Sequence, residues 1–307
     1  MLTEKISYNK QSSNNINNLT FTSKITSVSK ACSESKPLKE LHNALPNIPS
    51  DISCIINHKK YIDIPIKNID EYNTIFDRVY SAKKPNGDLM WFGNERLYYY
   101  PNATKVEQGL LPYCGERDSS FYINFFLSGR LTPEKYELWK ENLPENKASF
   151  IDMIRVLDFS LKNLDEEFGK YKGIVFRQGF MNENSGQFLS TTKNPSIAAQ
   201  LNNNYIFFSP KRGFSVIRTN NGHNICDFQN KMGVSFSTSE EEILLPRKQK
   251  YKELSPSELD EELDNARKTF AGKIIWGANK VINGEIKEVN GYDKEKLLGL
   301  VKVFDEV

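Results

Sequence analysis

The feature that most limits what this chain can fold into is a change of hydrophobic period in its second half. Phe150, Met153, Ile154, Leu157, Leu161 and Leu164 step by three and four, which sets one apolar helix face against a core. Ser149 and Asp152 are its expected N-cap pair. Beyond it the period changes to short strands: Ile174–Arg177, Gln187–Ser190, Tyr205–Phe208, Phe214–Arg218 and Ile243–Leu245. Gly, Pro and Asn clusters break them apart, which argues for small packed sheets rather than βαβ crossovers. A second helix is expected from Ser255, with Pro256 in its first turn, Glu258 completing a capping box and Leu259, Leu263, Ala266 and Phe270 as its buried stripe. Lys273–Trp276 and Val301–Phe304 complete the expected strands. The class is α+β.

The first half is less regular. Residues 1–30 hold 15 Asn, Ser or Thr with sparse apolar residues, so 1–36 read as a flexible leader. Residues 37–117 form a mixed N-terminal region of no assigned role, with a tight turn at Asn86-Gly87 and aromatic residues from Trp91 to Tyr100. The Tyr98-Tyr99-Tyr100 run reads as half-buried packing.

Charge and composition remove several classes of function. With 41 basic and 39 acidic residues the formal charge is +2, which does not fit a nucleic-acid binder. No apolar run reaches the roughly 20 residues that span a bilayer, and Met1 to Lys10 lacks the apolar core of a signal peptide. Cys32, Cys54, Cys114 and Cys226 form no CxxC pair, and His42, His58 and His223 are the only histidines, so no metal site and reduced, buried thiols are expected. Chemistry must therefore rest on carboxylates, hydroxyls and arginines.

Three segments place such groups at strand ends. Ile174-Val175-Phe176-Arg177-Gln178-Gly179 is an apolar strand ending in an arginine. Gly186-Gln187-Phe188-Leu189-Ser190-Thr191-Thr192 ends in three hydroxyls, and Ser239-Glu240-Glu241-Glu242 leads into Ile243-Leu244-Leu245-Pro246. Each alone suits a surface strand end, a helix cap or a solvated edge.

In this order the three resemble the arginine–serine–glutamate class of mono-ADP-ribosyltransferases, which includes bacterial toxins and effectors. Phe176-Arg177, Phe188-Leu189-Ser190-Thr191-Thr192 and Glu240-Glu241-Glu242 carry the resemblance, and Tyr122-Ile123-Asn124 and the Phe150–Leu164 helix are similar to the family's preceding helices. Thr192 departs from the family's final serine, and the Ser255–Phe270 helix looks like an insertion. The resemblance implies a fold of two small packed β-sheets with flanking helices over a catalytic domain at 118–307.

It also implies NAD as co-substrate and a protein arginine as acceptor, in a host protein modified by a bacterial effector. Such an effector would leave the bacterium by a route independent of a signal peptide and act in the host cytoplasm. Arg177 would bind the NAD pyrophosphate through its guanidinium fork, and backbone groups around Arg177 and Gln178 would hold the nicotinamide amide. Ser190 and Thr191 would bind NAD, Ser190 would also hold Glu242 in position, and Glu242 would stabilise positive charge on the ribose. Glu240, on the same face of an extended segment, would orient the acceptor, leaving Glu241 a solvated charge. Phe207 or Phe208 would wall the nicotinamide pocket, Phe236 would help position the protein substrate, and His223 reads as a turn residue. Transfer to Gln, Thr, Asn or Cys, NAD hydrolysis, and a non-enzymatic adaptor are the other readings.

Overall fold

A computed structural model of the chain describes residues 59–99, 101–114, 119–145, 149–179, 181, 186–200, 213–232, 240–281 and 294–307. All lie within one compact unit, Asn43–Val307. The leader, Cys32, Cys54, His42, His58, the Tyr205–Phe208 strand with Phe207 and Phe208, and Phe236 lie outside the described residues.

The N-terminal part is helical: α1 (Ile69–Tyr80), α2 (Trp91–Tyr99), α3 (Lys105–Gln108), α4 (Leu111–Cys114), α5 (Ser119–Leu127) and α6 (Pro133–Trp139). In α1, Tyr72, Ile75, Phe76, Val79 and Tyr80 form the buried stripe, and the Asn68 side chain caps the start by accepting from Glu71 N. The Asn86-Gly87 turn is present, with Gly87 at φ 89° and Lys84 N donating to Asp88 O at 2.7 Å.

Helix α7 (Ser149–Phe168) is the long amphipathic helix expected from the spacing. The Asp152 carboxylate accepts from Arg78 of α1 at 3.0 and 3.2 Å, a tertiary ion pair. Arg155 of α7 is almost fully buried and is held by Glu71 and the Ile64 carbonyl, both at 2.9 Å.

The remaining elements are β1 (Lys170–Gln178), β2 (Leu189–Thr192), α8 (Pro195–Gln200), β3 (Phe214–His223), α9 (Ile225–Met232), β4 (Glu242–Leu245), β5 (Tyr251–Leu254), α10 (Glu261–Val281), α11 (Lys294–Leu300) and β6 (Val301–Glu306). The strand expected at Lys273–Trp276 is instead part of α10. The Ser255–Glu258 capping box exists but closes a single 3-10 turn, and α10 starts at Glu261. His223 ends β3 rather than a turn and sits buried, 2.8 Å from the Asp165 carboxylate.

The six strands of the described residues form one sheet, in which two ladders are joined at corners. One runs β1-β3-β6-β5, antiparallel except for the parallel β3/β6 pair. The other is the antiparallel pair β2/β4. They join where Phe176 meets Thr192 and His223 meets Leu244. Alternation along the strands then divides the core. Val175, Ile217 and Phe304 of the long ladder pack with Leu189, Ile243 and Leu245 of the short one, while Phe176, Val216 and Val303 face Leu263, Phe270 and Ile274 of α10 and Ala198 of α8. Each large side chain buried this way contributes about 1.5–3 kcal/mol. The corner leaves no room for a side chain at Gly222, whose added Cβ would lie 2.6 Å from Ile243 Cγ2.

Candidate active site

Strand β1 delivers the arginine. Val175 and Arg177 share a face by alternation, so the core contact of Val175 turns Arg177 toward β2. Arg177 Nη1 donates to the Ser190 carbonyl at 2.6 Å, spanning the join between the ladders. Its Nε is buried without a partner, and so is Nε2 of the neighbouring Gln178. Burial holds the Arg177 pKa below the usual arginine value.

The β2/β4 pair brings the hydroxyls to the glutamate. Thr192 is the Cα partner of Glu242 and Ser190 that of Leu244, so Ser190, Thr192 and Glu242 share one face. The Ser190 hydroxyl is hydrogen-bonded to the Glu242 carboxylate. Thr191 points the other way, its Oγ1 donating to the Ile243 carbonyl at 2.6 Å within the short ladder.

A second hydroxyl stands behind Ser190. Tyr113, buried in α4, accepts from Asn124 Nδ2 at 2.9 Å, donates to the Phe188 carbonyl at 3.3 Å and lies beside the Ser190 hydroxyl. A hydroxyl has one proton to give. Tyr113 gives its proton to the Phe188 carbonyl at the entry to β2 and Ser190 gives its own to Glu242, so Asn124 and Tyr113 brace the backbone that carries Ser190. Asn124 is itself fixed on β2's approach, with Phe188 N donating to its Oδ1 at 3.2 Å and Gln187 Nε2 to its carbonyl at 2.8 Å. In the sequence Asn124 reads only as part of a helix, and Tyr113 stands in the region of no assigned role. Neither carries a local signal, because their partners lie far along the chain.

The two glutamates differ in environment. Burial, reinforced by the negative charge of Glu240, pushes the Glu242 carboxyl up to about 7, against the opposing pull of the Ser190 bond. Glu240 is more exposed, yet desolvation by the surrounding protein raises it as well. Burial, with the Glu242 charge adding to it, also holds the Tyr113 hydroxyl and the Cys114 thiol above their ordinary values, so both stay protonated.

Both carboxylates line a cavity of about 170 Å³ together with Arg177, Gln178, Ser190, Thr191 and Thr192. They do so by a different route from the expected extended segment. Strand β4 begins only at Glu242, and Glu241 has φ 48°, in the left-handed region. Glu241 is not a solvated charge either, since its Oε1 accepts from Asn194 Nδ2 at 3.0 Å. Asn194 before Pro195 carries a readable helix-start signal, and its Oδ1 does cap α8 through Ser196 N at 2.9 Å.

A larger cavity, about 560 Å³, opens at the opposite end of β2/β4 beside Phe188 and Pro246. Its most buried ionisable groups satisfy one another as His223–Asp165 and Arg247–Asp158 pairs, so the chemistry concentrates in the smaller cavity.

No protein-family model matches the chain. No curated protein matches it. Among solved structures it is similar to the eucaryotic mono-ADP-ribosyltransferase ART2.2, at 16% identity and a TM-score of 0.36, over 71% of this chain and 82% of that one. It is similar to the ADP-ribosyltransferase HopU1 of Pseudomonas syringae at 15% identity and a TM-score of 0.37, over 79% of this chain and 99% of that one. The type III effector XopAI of Xanthomonas axonopodis is similar at 12% identity and a TM-score of 0.35, over 88% and 96% of the two chains. At this level of identity and superposition, what the chain does is read from its own site.

Proposed function

We propose that the chain is an NAD-dependent mono-ADP-ribosyltransferase that modifies a protein arginine. The observation that carries this reading is the cavity itself. Two unpartnered donors, Arg177 Nε and Gln178 Nε2, stand with a carboxylate pair in which Glu242 is held by Ser190. Buried donors without acceptors suit the oxygen-rich phosphates and amide of a dinucleotide. At about 170 Å³ the cavity suits the reactive nicotinamide–ribose end, with the rest of the molecule lying outside it.

In this reading the bond between the nicotinamide nitrogen and ribose C1′ breaks, and its electron pair leaves with nicotinamide. Positive charge spreads over C1′ and the ring oxygen, and ionised Glu242 stabilises it at the ribose. Ser190 keeps that carboxylate in place, with Tyr113 and Asn124 behind it. Glu240 orients the incoming guanidinium and takes its proton as nitrogen bonds to C1′. The carboxylates, hydroxyls and arginine of the cavity account for these steps. Among the described residues no group of three or more His, Cys, Asp or Glu is placed to hold a metal ion.

The wider reading, a bacterial effector acting on a host protein in the host cytoplasm, is supported by the motif resemblance and the Asn/Ser/Thr-rich leader. No helix among the described residues is long and apolar enough to cross a membrane. Incubation with NAD labelled in its ADP-ribose half and a cell lysate tests the reading. Labelled protein is expected. Free ADP-ribose alone would mean an NAD glycohydrolase, and neither product would leave the adaptor reading. Mass spectrometry of the labelled protein identifies the acceptor residue.

A further inference from the structure

The residue between the two cavity glutamates has a role that its sequence position hides. Glu241 holds a left-handed backbone conformation, φ 48°, which is disfavoured for a residue with a Cβ. Such a conformation persists where surrounding contacts over-determine it. Two contacts do so here. The Glu241 carboxylate accepts from Asn194 Nδ2 at 3.0 Å, and its backbone carbonyl accepts from Lys193 N at 3.2 Å.

The other side of these contacts is rigid. Asn194 donates its backbone N–H to Thr192 Oγ1 at 3.1 Å, and its Oδ1 accepts from Ser196 N at 2.9 Å. With every one of these groups engaged at the start of α8, the Asn194 amide is a fixed donor. The turn after β2 therefore grips the turn before β4. The reversal at Glu241 leaves Glu240 and Glu242 both lining the cavity while Glu241 itself does not.

We infer that Glu241 is a positioning residue, which with Asn194 forms a clamp between two turns that holds the Glu240 carboxylate beside Glu242. The inference deepens the function proposed above and, for its effect on turnover, rests on it. Substituting either partner by alanine removes the side-chain bond and frees the turn to relax. Glutamine at 241 keeps an oxygen acceptor for Asn194 and so keeps the clamp without the charge.

The groups that face Glu242 are Arg177 from β1, Tyr113 and Cys114 from α4, Ser190 from β2 and Glu240 from its own turn. Of these, Glu240 is the one on the clamped turn. Since its charge helps to raise the Glu242 carboxyl, releasing it moves the Glu242 titration to lower pH.

The test compares wild type, Glu241→Ala, Asn194→Ala and Glu241→Gln. The Glu242 side-chain carboxyl is titrated by ¹³C NMR, transfer to arginine is followed with NAD labelled in its ADP-ribose half, and thermal melting reports folding. Both alanine variants are expected to titrate at lower pH and to lose about tenfold or more in transfer to arginine, as a shift near 1 Å in a reacting group does. Glu241→Gln should track wild type in both. The double alanine variant should be no worse than either single, because one bond is being removed.

A folded alanine variant with an unchanged titration overturns the clamp. So does Glu241→Gln behaving like Glu241→Ala. Asn194→Ala covers the case in which Glu241→Ala does not fold. The titration needs no NAD, so a wild-type chain that leaves NAD intact overturns the proposed function while the clamp is still decided by the carboxyl shift.

Discussion

Thr192 and Glu242 are directly opposed across the antiparallel β2/β4 pair, yet the hydroxyl that bonds the Glu242 carboxylate belongs to Ser190, two residues back on the same face. This diagonal leaves Thr192 Oγ1 free to accept from Asn194 N and so to shape the turn that grips Glu241. One strand face thus serves the carboxylate and its supporting turn together.

Glu242→Gln keeps the shape of the side chain and removes its charge. Both protein modification and NAD cleavage should fall by roughly 100-fold or more, the scale of losing a group that stabilises transition-state charge. Nicotinamide release measures it, and an unchanged far-UV circular dichroism spectrum shows that the variant is folded. A folded variant of near-normal activity would remove Glu242 from the site.

Ionised Glu242 is the active form, so NAD cleavage should rise with pH through an acid limb near 7. Stability should run the other way. The folded chain holds the Glu242 proton up to about pH 7, whereas the unfolded chain releases it near 4.5. Between these values the folded state binds more protons, so this group's contribution to stability is lost as pH rises through the window, by at most about 3 kcal/mol. Melting temperatures of wild type and Glu242→Gln across this range check the sign, since the glutamine variant lacks this part of the slope.

Tyr113→Phe removes the hydroxyl that joins Asn124 to the Phe188 carbonyl behind Ser190. It leaves the Phe188 carbonyl without this donor and Asn124 Nδ2 without its acceptor. A stability loss of about 1–3 kcal/mol is expected from the stranded buried donor. NAD cleavage should also slow, with kcat falling more than KM rises, because the hydroxyl braces the strand that carries Ser190 to the carboxylate rather than binding the dinucleotide. Denaturant unfolding and steady-state kinetics separate the two effects.

Arg177→Lys keeps a positive charge but loses the planar fork. The contact from Nη1 to the Ser190 carbonyl and the free Nε cannot both be reproduced by one ammonium. NAD affinity, measured by calorimetry, should fall by about tenfold or more, as expected for a charge-assisted bond worth roughly 1.4 kcal/mol or more. Unchanged affinity would make Arg177 a structural tie between strands and nothing else.

Glu240→Ala should abolish protein modification while measurable NAD hydrolysis remains, because water needs less orienting than a guanidinium. Glu240→Asp should be nearly as damaging to transfer, since a carboxylate drawn back by about 1 Å loses the reaction geometry. Labelled NAD scored for both products distinguishes the outcomes. Arginine modification at the normal rate in Glu240→Ala would end the two-carboxylate account.

What the sequence determined by itself is local in origin. The spacing from Phe150 to Leu164 specified α7, and the short apolar runs ending in Arg177, in the Ser190-Thr191-Thr192 hydroxyls and after Glu242 located strands β1, β2 and β4 with their polar ends. Period and end chemistry are properties of neighbouring residues, so they are legible along the chain. The strand expected at Lys273–Trp276 shows where this stops. An apolar run has no period of its own, and there Phe270, Ala271 and Ile274 continue the α10 face that packs on β1 and β3. The tertiary structure alone decided how the polar ends meet. Tyr113 reaches Ser190, Asn124 reaches Phe188, and Asn194 reaches Glu241 across separations of 47 or more residues, and Glu241 enters the left-handed region because those partners hold it there. Local propensity would make 240–242 extended. Hydrogen bonds to a turn nearly fifty residues earlier outweigh it and bring the two carboxylates to one cavity.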